Sequence, residues 1–115
     1  LAAGCISVEF GLESPFPDQQ RSINKGYEIE DQRILELMVY AKARIPWVQG
    51  DLLQLSRDPE LSRRTEEWRQ EAVARGVWVS EPVDPFLYPG SDLHEERLGR
   101  VDDRSWERAM EESGR

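Results

Sequence analysis

The pattern of apolar and polar positions predicts an α-helix from Asp31 to Ile45, the most apolar stretch of the chain. Apolar residues recur there at three- and four-residue steps and fall on one face: Ile34, Leu37, Met38, Ala41 and Ile45. Leu35 and Val39 make this face wider than the stripe of an ordinary surface helix. We therefore expect a central helix that is packed from two or more sides. Pro46 cannot continue the helical hydrogen bonds and ends it.

A second segment, from Cys5 to Phe10, alternates with a period of two and predicts a short, half-buried β-strand. Ile6, Val8 and Phe10 point one way, whereas Ser7 and Glu9 point the other. The best partner that the chain offers is the short apolar run from Val77 to Val79. A two-stranded pair is marginally stable in water. We therefore expect this strand either to lie on the helices or to add to a sheet of another protein.

A third segment, from Asp58 to Gly76, has the clearest helix boundaries. Asp58 is a suitable N-cap, Pro59 occupies the first turn, and Gly76 fits the residue after the last turn. A narrow apolar stripe that includes Trp68 predicts a surface helix lying on the central one. Two shorter helices are predicted near the C-terminus, one capped by Ser91 and ended by Gly99, the other capped by Asp102 or Asp103 and continuing through Glu112.

The remaining segments lack a clear period. Residues 11–26 predict a loop, and residues 46–55 are ambiguous, with Pro46 suited to the first turn of a new helix. Residues 77–90 predict an extended arm because prolines recur within them. The expected fold is mainly α: a small core of two main helices and one or two short ones, a short N-terminal β-strand and long, extended, proline-rich segments. We expect one domain, with an N-terminal strand and loop arm (1–26), a helical core (27–76) and an extended arm with short C-terminal helices (77–115).

Composition and charge narrow the possible partners. Charged residues make up 33% of the 115-residue chain, against about 25% in typical proteins, and the aliphatic content is low. The net charge of −8 argues against direct binding to nucleic acid or to an anionic membrane. It permits a basic protein partner, and the alternative is that the charge only supplies solubility. The apolar stretch of Asp31–Ile45 is shorter than the roughly 20 residues of a transmembrane helix, so we expect no transmembrane span.

Residues suited to catalysis or metal binding are scarce. His94 is the only histidine and Cys5 the only cysteine, which excludes a two-histidine metal site and an internal disulfide. The chain has no phosphate-binding loop, dinucleotide-binding fingerprint, C-x-x-C or nucleophile-elbow motif. We therefore expect a protein that is not an enzyme, with no catalytic, cofactor-binding or metal-binding residues and no cofactor.

These observations favour a non-enzymatic accessory or structural subunit that docks onto a larger protein assembly through its extended arms. The residues expected to contact the other subunits are Ile6, Val8, Phe10, Trp78, Phe86, Tyr88 and Trp106. The alternative is an acidic inhibitor or immunity-type module that binds a basic partner protein. For that alternative, Glu66, Glu67 and Glu71 are candidate contacts.

The first five residues, Leu1 to Cys5, support a further alternative. Small residues followed by a cysteine resemble the lipobox of bacterial lipoproteins. The resemblance implies a lipid-anchored envelope protein with Cys5 as the lipidated residue, and membrane association is expected only in that case. Otherwise we expect Cys5 to be a small buried hydrophobic residue.

Overall fold

A computed structural model describes residues 3–23 and 25–114, which form two compact units, Leu1–Val83 and Asp84–Arg115. The helices and strands of the described residues are β1 (Ser7–Glu13), α1 (Pro17–Ser22), α2 (Asp31–Lys42), β2 (Trp47–Leu52), α3 (Pro59–Ala74), β3 (Trp78–Val79), α4 (Asp92–Leu98) and α5 (Ser105–Ser113).

The first unit is built around a three-stranded parallel sheet with the strand order β1-β2-β3. The prediction of a mainly α fold is therefore wrong, and the fold is mixed α/β. The error lies in residues 46–55, where β2 forms. Val48, Gly50 and Leu52 are buried, whereas the side chains between them are at least partly exposed. This alternation is the period of two expected of a strand. The middle one of the three buried positions is Gly50, which has no apolar side chain, so the sequence does not show the alternation clearly.

The predicted strand pairing is also wrong. β1 pairs with β2 from Ser7↔Trp47 to Glu13↔Leu52, and β3 pairs with the other edge of β2, where Gln49 lies opposite Trp78. Parallel neighbours need a long crossover, and α2 and α3 provide the two crossovers. β1 and β3 are thus both edge strands, with β2 between them.

The two long helices agree closely with their predictions. α2 begins at Asp31 as predicted and ends at Lys42, before the predicted end at Ile45. It packs against β2 and α3. The Asp58 side chain accepts a hydrogen bond from the Leu61 amide at 3.1 Å, which confirms Asp58 as the N-cap of α3. Trp68 is buried, as predicted.

At Gly50, side chains from β1 and α2 meet the backbone of β2. A Cβ atom on this residue would lie 2.8 Å from both Leu12 Cδ1 and Met38 Cε, which is too close for any real contact. The helix and the neighbouring strand therefore pack directly against the β2 backbone. The core around this point consists of buried residues from every element of the sheet and its two long helices: Leu12, Ile34, Leu35, Met38, Val48, Leu52, Trp68, Ala72, Val77 and Val79.

The predicted loop of residues 11–26 contains the end of β1 and the whole of α1, so that prediction is wrong for most of its length. β1 ends at Glu13, whose φ of 57° is the only positive value among the described non-glycine residues. The Ser14 amide donates a hydrogen bond to the Leu12 carbonyl at 2.6 Å. This bond closes a tight three-residue turn with Glu13 at its centre.

The segment after this turn is fixed by a polar side chain. Gln20 is fully buried, and its amide nitrogen donates to the carbonyl oxygens of Ser14 at 3.3 Å and Ile29 at 3.1 Å. Its amide oxygen accepts from the Ile29 backbone at 2.7 Å. An apolar periodicity cannot reveal this kind of anchor, which is why the sequence pattern indicated an unstructured loop.

The second unit contains α4, α5 and the chain that precedes them. Ser91 caps α4 as predicted, because its hydroxyl accepts from the His94 amide at 3.2 Å, and Gly99 ends the helix. α5 begins at Ser105 with Arg104 at the N-cap and no side-chain cap, so the predicted cap at Asp102 or Asp103 is wrong. Asp102 instead accepts hydrogen bonds from the Arg104 amide at 2.8 Å and from Arg108 Nη2 at 2.9 Å.

Candidate functional site

One face of the parallel sheet is covered by helices, and the other carries exposed side chains. Because side chains alternate along a strand, the residues between the buried positions share the second face. We call this surface the open face, and its members are Glu9 on β1, Trp47, Gln49 and Asp51 on β2, and Trp78 on β3. Parallel sheets normally have both faces covered. An uncovered face with two tryptophans is therefore a candidate interaction surface.

Gln49 occupies the centre of the open face. Its register partners are Glu9 on one side and Trp78 on the other, while Trp47 and Asp51 lie two positions before and after it on the same strand. Its side-chain nitrogen is 3.4 Å from Glu9 Oε1 and 3.1 Å from Asp51 Oδ1, and it donates to both. One neutral amide thus holds two carboxylates beside each other.

The two tryptophans of the open face form an aromatic pair. Their ring centroids are 6.4 Å apart and their planes are inclined by 30°. Trp47 Nε1 donates to Gln49 Oε1 at 3.1 Å, which fixes the orientation of that ring. Each tryptophan is 43% exposed to solvent. The open face therefore combines a fixed aromatic surface with an acidic group.

Within the described residues, the acidic group of the open face has no basic partner. Within residues 3–23 and 25–114, no basic side chain is placed in a salt bridge with Glu9 or Asp51. A hydrogen bond and charge repulsion from Asp51, together with slight burial, raise the pKa of Glu9 above its ordinary value. The proximity of the two carboxylates therefore has a free-energy cost that a bound cation could remove.

The acidic residues on α3 differ in this respect. Glu66 forms a salt bridge with Arg69 at 3.0 Å, and Glu67 forms one with Arg63. The charge of this helix is thus largely balanced on its own surface. The open face therefore has a stronger requirement for an external cation than the acidic residues of α3 have.

A cleft of about 210 Å³ lies beyond the carboxyl ends of the three strands. Ligands of parallel α/β sheets commonly bind at such a position. Most of its polar lining already has partners within the unit. Glu13 pairs with Lys25, the Ser14 hydroxyl accepts from the Phe16 amide, and the Thr65 hydroxyl donates to the Leu61 carbonyl. The cleft therefore offers less unsatisfied chemistry than the open face.

The predicted partner-binding residues of the first unit fall on different surfaces. Trp78 lies on the open face, and Ile6 is exposed just before β1. Val8 and Phe10 instead pack against the hydrophobic core, on the face of the sheet that the helices cover. Trp47 was missed by the sequence analysis. The alternation of residues 47–52 was the signal that could have revealed it.

The other three predicted contact residues form an aromatic cluster in the second unit. The Phe86 ring centroid is 4.7 Å from that of Tyr88 and 6.2 Å from that of Trp106. Tyr88 and Trp106 are each 59% exposed. Nearby charges are paired, because Arg104 contacts Glu107 and Arg108 contacts Asp102. This cluster is a second exposed aromatic surface, without the unbalanced charge of the open face.

His94 and Cys5, the single histidine and the single cysteine of the sequence, lie in different units. His94 is fully buried in the second unit, and its Nδ1 donates to the Leu87 carbonyl at 2.9 Å. Cys5 is exposed in the first unit, so the expectation that it is a buried hydrophobic residue is wrong. Its lipidation stays a prediction. Leu1 and Ala2, part of the lipobox-like segment, lie outside the described residues.

Comparisons with known proteins find no match to this chain among family models, curated proteins or solved structures. Among the described residues, no helix has the length and hydrophobicity needed to cross a bilayer. The same residues contain no group of three or more histidine, cysteine or acidic side chains arranged to hold a metal ion.

Proposed function

We propose that this chain is a non-enzymatic accessory protein that binds a basic protein partner through the open face of its sheet. The observation that supports the proposal is the combination of an exposed tryptophan pair with two unneutralised carboxylates, held together by Gln49. Aromatic residues are enriched in protein interfaces, where they contribute much of the binding energy. The acidic pair would attract a basic surface and fix its orientation.

This proposal joins two of the functions expected from the sequence. Like the accessory subunit, the protein would act within a larger assembly of protein subunits. Like the acidic inhibitor or immunity-type module, it would select a basic partner. The net charge of −8 favours such a partner over nucleic acid. Membrane association would require lipidation of Cys5.

Binding of the full chain to a peptide that contains both arginine and lysine tests the proposal. Isothermal titration calorimetry should give a measurable affinity at low ionic strength, and this affinity should fall as the salt concentration rises to about 0.15 M. An uncharged peptide of the same length serves as the ligand control and should not bind.

Two double variants with the same change in charge identify the binding surface. We expect Glu9→Gln with Asp51→Asn to weaken binding of the basic peptide strongly. Glu66→Gln with Glu67→Gln, on α3, should leave the affinity nearly unchanged. Equal losses in both variants would mean that only the overall charge attracts the peptide, and the open face would then not be the binding site.

A further inference from the structure

We infer that the open face recognises an arginine side chain of its partner, with the guanidinium at Glu9 and Asp51 and the side chain lying against the tryptophan pair. This inference rests on the proposed function and names the group that the partner must supply. It depends on the arrangement of charge and aromatic rings around Gln49.

The carboxylates provide the acceptors. Glu9 and Asp51 lie on adjacent strands and diagonally across from each other, because Glu9 is opposite Gln49 and Asp51 is opposite Gly11. Such diagonal neighbours are within reach of long side chains. Gly11, opposite Asp51, has no side chain, and the Glu13 carboxylate lies beside it, because a Cβ on Gly11 would be 3.2 Å from Glu13 Oε1. The next acidic residue of β1, Glu13, is already neutralised by Lys25.

The tryptophans provide the surface against which the cation would pack. Trp78 flanks Gln49 on the side opposite Glu9, and Trp47 lies two positions before it. Tryptophan is the aromatic residue that binds cations most strongly through its ring face. Each ring and each carboxylate is either on a strand next to Gln49 or two residues from Gln49 on β2. A single extended side chain can therefore contact both the rings and the carboxylates.

Arginine fits this arrangement better than lysine does. Its guanidinium is planar, stacks on aromatic rings and carries five donors that can meet two carboxylates at once. The lysine ammonium is compact and strongly hydrated, so it gains less from an aromatic surface. Among the described residues, the open face lacks the third acidic ligand that a metal site would add. An arginine side chain is therefore the occupant with the best chemical match.

Three peptides that differ at one position test the inference with the full chain. The position carries arginine, lysine or citrulline, and citrulline keeps the planar shape of arginine but has no charge. We expect the arginine peptide to bind about threefold to tenfold more tightly than the lysine peptide, and the citrulline peptide to bind most weakly. In the Trp78→Ala variant, the affinity for the arginine peptide should fall to that for the lysine peptide. Trp78→Phe should retain part of the preference for the arginine peptide.

The indole N–H signals of the four tryptophans locate the bound peptide independently of affinity. In ¹H–¹⁵N spectra, the arginine peptide should shift the signals of Trp47 and Trp78 and leave that of the buried Trp68 unchanged. The same spectra show whether each variant is folded, so a folding defect in Trp78→Ala cannot be mistaken for lost binding.

The possible outcomes separate the inference from the proposed function. If arginine and lysine peptides bind equally, and the Glu9/Asp51 variant weakens both, the arginine inference is overturned while the proposed function stands. If neither peptide binds at low ionic strength, both are overturned. If the arginine peptide shifts only Trp106, binding occurs in the second unit and the open face is not the site.

Discussion

Trp68 Nε1 donates a hydrogen bond to the main-chain carbonyl oxygen of Asp31, with a donor–acceptor distance of 3.0 Å. This bond joins the interior of α3 to the first residue of α2. Trp68 is only 3% exposed, so the same side chain fills the space between the two helices. It therefore contributes both packing and a specific polar contact to the first unit.

Replacing Trp68 with alanine should lower the free energy of unfolding of the first unit by about 3–5 kcal/mol, because a large buried side chain leaves a cavity. Trp68→Phe keeps an aromatic ring but removes the hydrogen bond, and a smaller loss is expected. Urea denaturation followed by circular dichroism measures both changes. Gln32→Ala, at an exposed position on α2, is the control and should change stability by no more than about 0.5 kcal/mol. A loss from Trp68→Ala as small as that of the control would contradict the buried position.

Gly50→Ala should destabilise the first unit by about 1 kcal/mol, at the low end for overpacking, because the added Cβ would meet only the ends of the Leu12 and Met38 side chains, which can shift. Combining it with Met38→Ala tests the reason for the loss. The methionine truncation removes one of the two clashes, so the double variant should lose less stability than the sum of the single variants. Strictly additive losses in urea denaturation would show that the close approach of α2 to β2 is not the cause.

Asp58→Ala should cost about 1 kcal/mol of stability, because the Leu61 amide loses the side-chain acceptor at the start of α3. Asp58→Asn keeps an oxygen acceptor at the same place. We expect it to retain most of the stability, which separates the capping hydrogen bond from the charge. Thermal unfolding of the three proteins gives the comparison, and an equal effect of both substitutions would point to the charge instead.

The carboxyl pair of the open face should give the protein an unusual pH dependence. The pKa of Glu9 is higher in the folded state than in the unfolded state. Protonation of Glu9 therefore stabilises the folded state, and this stabilisation is fully present below the unfolded-state pKa and is lost as pH rises through the folded-state pKa. Glu9→Gln should therefore stabilise the protein at neutral pH and remove this part of the pH dependence. Urea denaturation between acidic and neutral pH tests this, with Glu36→Gln, an exposed acid of α2, as a control of equal charge.

Asp102 should show the opposite behaviour. A hydrogen bond from Arg108, followed by one from the Arg104 backbone, lowers the pKa of Asp102 in the second unit. Its contribution to stability is present above the unfolded-state pKa and is lost as pH falls through the folded-state pKa. Asp102→Asn should therefore destabilise the second unit at neutral pH and make little difference in strong acid. Side-chain NMR signals of this unit, followed during acid titration, provide the measurement.

Elements whose stabilising contacts lie close together along the chain could be predicted from the sequence. The long helices α2 and α3 were predicted because their signals are local: apolar residues at helical spacing, Asp58 at the N-cap and Gly76 after the end. The Ser91 cap of α4 is local in the same way. These features follow from residues a few positions apart, and tertiary packing did not override them.

The sheet was missed because its evidence is non-local. Val48 and Leu52 alternate with polar residues, but Gly50 at the buried position between them has no apolar side chain to reveal the pattern. The need for a glycine there comes from Met38 and Leu12, which the sequence alone does not place nearby. The open face could not be predicted for the same reason, since the pairing of Gln49 with Glu9 and with Trp78 depends on the register of three separate strands.

The order of the strands in the sheet matches their order in the chain. During synthesis, β1 and α2 leave the ribosome before β2, and the β1–β2 pair can form before β3 is made. Domains generally fold as units, and the β1–β2 pair alone is only marginally stable. With this order, each later strand adds at a free edge, and no earlier pair has to separate to admit it.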